Sequence, residues 1–136
     1  MRVAFAADDE NDTTRAVLDA LAEHEILRPD GPADWPDLGR FVGRSVADGR
    51  ADYGVVMCWT GTGTAIAANK IPGVRAAVAW DPWIARGARL WNDANVLAMS
   101  LKRLAPDVAV EVLQAFLTTP APDPDEAANI AMIERP

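Results

Sequence analysis

Short apolar runs alternate along this chain with stretches of helical period. Residues 3–7 form the first run, right for a buried strand, and end in the acids Asp8, Asp9 and Glu10. Over 13–25 the period changes, with Ala16, Val17, Leu18, Ala20, Leu21 and Ile26 recurring at helical spacing. Asn11, Asp12 or Thr13 can cap that helix. Three prolines and a glycine make 28–36 a loop, leaving room for a very short strand at 25–27. Leu38, Phe41, Val42, Ser45 and Val46 carry a second helix that ends near Gly49. Residues 53–57 make a second buried strand, and Cys58-Trp-Thr-Gly-Thr-Gly63 follows at once. The pattern then predicts a short helix over 64–70, a strand over 74–79 and a helix over 82–92, with Pro82 acceptable in its first turn. A strand over 96–99 and a strong helix over 106–117 come next. Pro120, Pro122 and Pro124 break the chain before a terminal helix over 125–133.

Apolar strands alternating with helices predict an α/β fold. Parallel strands need crossovers, and right-handed crossovers cover both faces. The expected architecture is a Rossmann-like, doubly wound parallel sheet of about five strands flanked by helices. Ligands in such sheets bind beyond the carboxyl ends of the strands, where the winding reverses. That rule nominates Asp8 and Asp9, the Cys58 to Gly63 loop and the Ala79-Trp80-Asp81 turn.

Length and composition narrow the picture. A chain of 136 residues reads as a single domain, 1–136, with 119–136 an extension expected to pack on a partner subunit. At 50% hydrophobic and 24% charged residues, general disorder is excluded. A formal charge of -7 argues against unaided binding to nucleic acid or an anionic membrane. The apolar start is too short for a secretory signal, and no run is long enough to span a bilayer. A soluble, cytoplasmic protein is therefore expected. Cys58 is the only cysteine, which rules out an intrachain disulfide and a cysteine-rich zinc site. No metal and no cofactor is expected.

The chemistry concentrates at Cys58 to Gly63. Two glycines let a ligand approach the backbone, and the N–H groups of 61–64 would point outward at a helix start, a nest for a phosphate, a carboxylate or an enediolate oxygen. A thiol beside a helix N-terminus is biased toward thiolate and can act as a base. The bland alternative is an inert buried cysteine beside an ordinary turn. The loop lacks the Gly-Lys-Ser/Thr ending of a Walker motif and the third glycine of a dinucleotide fingerprint.

Cys58-Trp-Thr-Gly-Thr-Gly-Thr-Ala-Ile-Ala-Ala-Asn-Lys70, followed by Ile-Pro-Gly-Val-Arg-Ala-Ala-Val78, resembles the ribose-5-phosphate isomerase B and galactose-6-phosphate isomerase family. Asn92-Asp93-Ala94-Asn95-Val96-Leu97 is similar to a second segment of that family, and the opening strand ending in Asp8 to a third. The resemblance covers roughly 1–118. It implies an aldose–ketose isomerase that works without metal on a small sugar, as a homodimer or a tetramer with sites shared between subunits. It gives Cys58 the role of moving a proton between C1 and C2 through an enediolate. Thr60 would assist ring opening, and Gly61, Thr62 and Gly63 would hold the enediolate oxygen. Asp8 and Asn92 would bind sugar hydroxyls.

The departures matter as much. Asp9 stands where the family has a phosphate-binding histidine, Trp91 where it has a histidine used in ring opening, and Trp59 where it has glycine. The C-terminal arginines that hold phosphate have no counterpart except Arg135. An extra acid at about 4 Å and an effective dielectric near 20 costs a phosphate about 4 kcal/mol per charge pair. The expected substrate is therefore atypical or not phosphorylated, unless Arg86, Arg89, Lys102 or Arg103 supplies the missing cations. Burial beside Asp8 would let Asp9 take over the acid–base task of the absent histidine. Trp59 and Trp91 are expected beside the thiol, making a narrower and drier pocket. His24 is given no catalytic role. Two other readings stay open: a half-site subunit of a heteromeric isomerase, and a binding relative that lost the chemistry.

Overall fold

The computed structural model describes residues 1–135. Pro136, the last residue of the expected domain and of the expected extension, lies outside them. The elements are β1 (Arg2–Ala7), α1 (Asp12–Ala20), β2 (Glu25–Leu27), α2 (Trp35–Ala47), β3 (Tyr53–Cys58), α3 (Thr62–Asn69), β4 (Ala76–Val78), α4 (Pro82–Asn92), β5 (Val96–Ser100), α5 (Pro106–Leu117), a 3-10 turn (Pro124–Glu126) and α6 (Ala127–Ile133).

Five parallel strands lie in the order β2-β1-β3-β5-β4. The alternation of side chains along each strand sorts the core into two layers. Val3, Phe5, Val55, Met57, Leu97 and Met99 pack with α1, α4 and α5. Ala4, Ala6, Val56, Val96 and Ala98 pack with α2 and α3. The second layer is built from smaller residues, so its helices come closer. A side chain at Gly39 of α2 would begin 2.7 Å from the Thr64 carbonyl oxygen and 2.8 Å from the Ala67 methyl. The missing side chain thus seats α3 directly against α2.

Several boundaries differ from the periodic reading. Helix α1 stops at Ala20, where His24 N–H closes a turn on the Leu21 carbonyl and Glu25 N–H bonds Met1 to begin β2. The helix predicted to run to 25 gives way because its last residue is needed for strand pairing. Helix α2 starts earlier, at Trp35, because proline is tolerated in a first turn. Strand β4 is shorter than 74–79. Gly73 takes a positive φ of 83°, and Val74 N–H closes a turn on Ile71, so pairing starts only at Ala76.

The carboxy-terminal segment folds back on its own chain. Asp123 N–H bonds the Leu90 carbonyl, α6 touches α4, and Glu134 pairs with Arg75 at 2.9 Å. None of α6 is buried, however, and Met132 and Ile133 are exposed. Among the described residues no helix is long and apolar enough to cross a membrane.

Candidate active site

The chain winds from β1 outward to β2, then returns to place β3 on the other side of β1. Between β1 and β3 the winding reverses, and the carboxyl ends of these two strands deliver Asp8 and Cys58 to one crevice. This is the switch point that the strand pattern nominates. A hollow of about 310 Å³ opens there, lined by Cys58, Asp8, Trp35, Trp59, Thr60, Thr62 and Gly63. Cys58 is only 5% exposed, yet it faces this hollow and is not sealed in the core.

Gly61 caps α3 with φ of 80°, a left-handed conformation that suits glycine. A side chain there would also meet the backbone of Met99 at 2.9 Å. That turn folds the chain back over the sulfur. Gly61 N–H donates to Cys58 Sγ at 3.2 Å, and Thr64 Oγ1 donates to it at 3.4 Å. Burial by itself pushes the thiol up. Donation by the Thr64 hydroxyl and by the backbone of Thr64, Thr60 and Gly61 outweighs burial and holds the thiol below its ordinary value. The cradle expected for a substrate oxygen therefore closes in part on the sulfur itself. Thr60 and Thr62 share a hydroxyl–hydroxyl bond of 2.8 Å, and Thr62 N–H donates to Thr60 Oγ1 at 3.3 Å. Both hydroxyls and Gly63 line the hollow.

The remaining predicted site residues divide into near and far. Trp59 sits at the rim, 58% exposed, with Lys102 Nζ 4.6 Å from its ring centroid. Asp9 is exposed, and its carboxylate accepts from Glu10 N–H at 2.9 Å. It faces a neighbouring hollow with Asp8, Glu10 and Arg28, so the burial expected for the Asp8–Asp9 pair is absent from the single chain. Trp91 and Asn92 end α4 at the opposite, amino ends of the strands. They precede β5, whose first residue pairs with Gly54, while Cys58 pairs with Ser100 at its far end. At about 3.3 Å per residue, that is on the order of 13 Å of strand. Within one chain Trp91 is not beside the thiol. It packs edge-on against Trp83, with centroids 5.4 Å apart.

Of the candidate cations, Arg89 is buried and fully engaged. It donates to Asp93, Tyr53 and the carbonyls of Ala94, Thr119 and Pro120. Arg86 lines a separate groove with Met1 and His24. Lys102 and Arg103 do flank the site, in a second hollow that shares Trp59 and Thr60 with the first. Trp35, which falls within the proline-rich 28–36 segment, is a further wall of the Cys58 hollow. Its ring comes within 3.0 Å of where a Gly63 side chain would begin, and the Trp-Pro start of α2 was the available signal. Two asparagines of the resembling segments are structural. Asn69 clamps the backbone of Ala76 through both side-chain atoms, and Asn95 does the same for Arg75 and Gly73.

Comparison with known proteins gives the family and the fold. The Ribose/Galactose Isomerase family model matches residues 4–133. A D-erythrulose-4-phosphate isomerase from Pectobacterium atrosepticum is 36% identical over 125 residues, covering 86% of this chain and 82% of the relative. Ribose-5-phosphate isomerase B of Escherichia coli is 39% identical over 84 residues, 62% of this chain and 56% of that one. Several other curated relatives are likewise spanned over less than two-thirds of their length. The solved ribose-5-phosphate isomerase B of Clostridium thermocellum superposes with a TM-score of 0.90 at 32% identity, covering 98% of this chain and 95% of that one.

Proposed function

The chain belongs to the ribose/galactose isomerase family, and from that premise we propose that it interconverts an aldose and its ketose with Cys58 as the base. The observation that carries this reading is a thiol held below its ordinary value at the wall of an open hollow. The Cys58 thiolate takes a proton from the carbon beside the carbonyl. The C–H electron pair becomes the C=C bond of an enediolate, and the carbonyl oxygen takes the charge. The proton of the adjacent hydroxyl passes to that charged oxygen, and the electrons left on the second oxygen form the new C=O. The C=C pair takes the proton that the thiol returns to the former carbonyl carbon, restoring the thiolate. Thr60, Thr62 and Gly63 offer the donors for the oxygens, and a preorganised donor of this kind is worth about 10²–10³ in rate. Asp8 is suited to a sugar hydroxyl.

The substrate is best read as an atypical sugar. The relative with the broad match acts, by its name, on a four-carbon sugar phosphate, whereas another bears the name of a five-carbon one. Asp9 and Glu10 share the outer hollow of Asp8 with a single cation, Arg28, while Lys102 and Arg103 stand beyond Trp59. A lone free thiol suits the cytoplasm.

A homodimer completes the reading. Trp91 and Asn92 of a second copy would reach the Cys58 hollow, with the exposed Trp80, Trp83, Met132 and Ile133 available to such an interface. The test is solvent-deuterium exchange at C1 or C2 across phosphorylated and free aldoses and ketoses. Exchange is expected for at least one sugar and is expected to vanish in Cys58→Ala. Undiminished exchange in that variant would remove the thiol from the mechanism.

A further inference from the structure

The hollow over Cys58 and the hollow lined by Lys102 and Arg103 have Trp59 and Thr60 in common. The first holds about 310 Å³ and the second about 420 Å³. We propose that the Trp59 indole is the partition between them and the residue that sets which molecules reach the thiol, favouring a sugar that ends within the first hollow over one long enough to reach the cations. In its bearing on turnover this rests on the isomerase reading above.

One contact holds the exposed indole itself, and the others fix the backbone that carries it. The Lys102 ammonium sits over the ring, a cation–π contact that restrains its swing. The Trp59 carbonyl accepts from Ser100 Oγ, which in turn accepts from Arg103 N–H at 2.9 Å. Leu101 N–H donates to the Cys58 carbonyl at 3.0 Å. The end of β3 is thus tied on both sides of Trp59 to the residues that carry the cations. A substrate with its reacting carbons at Cys58 must stop at the indole or displace it. Trp35 bounds the first hollow from α2 and Asp8 from β1, so the Trp59 side is where a longer chain would have to leave.

Cys58 is the only cysteine, so thiol labelling reads this site alone. Trp59→Ala and Trp59→Leu, checked for folding by circular dichroism, are compared with the parent protein using iodoacetamide and the bulkier N-phenylmaleimide. The rate ratio of bulky to small reagent is expected to rise about fivefold or more in Trp59→Ala, and less in Trp59→Leu. An unchanged ratio in both variants overturns the partition. The same proteins are then assayed with four-carbon and five-carbon sugar phosphates. In Trp59→Ala, kcat/KM for the longer relative to the shorter substrate is expected to rise about tenfold. Turnover by all the proteins with an unchanged length ratio overturns the selective role. A changed labelling ratio, with no turnover of any sugar even by the parent, supports the wall and counts against the isomerase reading instead.

Discussion

At the scale of single residues the site is governed by one sulfur and the donors around it. Burial works against the Cys58 thiolate, and the Thr64 hydroxyl is the foremost group working for it. Thr64→Val should therefore raise the thiol toward its ordinary value and slow alkylation at neutral pH by about an order of magnitude, the worth of one hydrogen bond to a charged acceptor. Ultraviolet titration of the thiolate checks the shift, and the acidic limb of any pH–rate profile should move to higher pH. The sign for stability follows from linkage. A thiol held below its ordinary value of 9.0 stabilises the fold fully above that pH. The contribution is lost as pH falls through the folded value. Thr64→Val should narrow that window, as denaturant melts across alkaline pH would record.

Between elements, the position of the thiol's donors depends on how closely α3 lies on α2. Gly39→Ala would put a methyl 2.7 Å from the Thr64 carbonyl oxygen, against backbone that cannot yield cheaply. It should cost about 1–3 kcal/mol, as overpacking does, and weaken the Thr64 bond to sulfur. Urea unfolding reads the first effect, and slower Cys58 alkylation reads the second. At the amino ends of the strands Arg89 plays the corresponding part. It is 3% exposed and joins the end of α4 to the segment after α5 and to Tyr53 of β3. Arg89→Met leaves several acceptors without a donor and should cost on the order of 3 kcal/mol in urea unfolding. Arg75, which binds both Asp93 and Glu134, keeps α6 against this same corner.

For the whole molecule the question is assembly. Cys58 stands at the carboxyl ends of the strands and the Trp91–Asn92 pair at their amino ends. If a two-fold dimer brings them together, Cys58→Ala and Asn92→Ala chains should each be inactive alone. Refolded together in equal amounts, random pairing should restore about a quarter of the parent activity, since half the dimers would carry one intact site. No recovery, with dimers present by sedimentation, would mean that each site is built within one chain.

What could be read from the chain alone was local or periodic. The alternation of strand and helix, which implies parallel crossovers, and the thiol facing its own helix start are features of residues close in sequence, and Gly61, Thr64 and Cys58 meet within a single turn. Resemblance of the Cys58 to Lys70 segment added the family. The periodic pattern could not say how far apart matched segments stand, because strand order and crossover direction decide that. Trp91 and Asn92 close a helix that runs back from the site, so they stand at the amino ends of the strands whatever their similarity. Asp9 lies one residue beyond Asp8 and turns outward to a different hollow, away from the burial expected of it. Trp35 reaches the thiol only because α2 crosses behind β1 and β3, and Trp59 becomes a partition only because β5 lays Lys102 and Arg103 against it. Hydrogen bonds between near neighbours follow from the order of residues; meetings across a sheet follow from how the layers close.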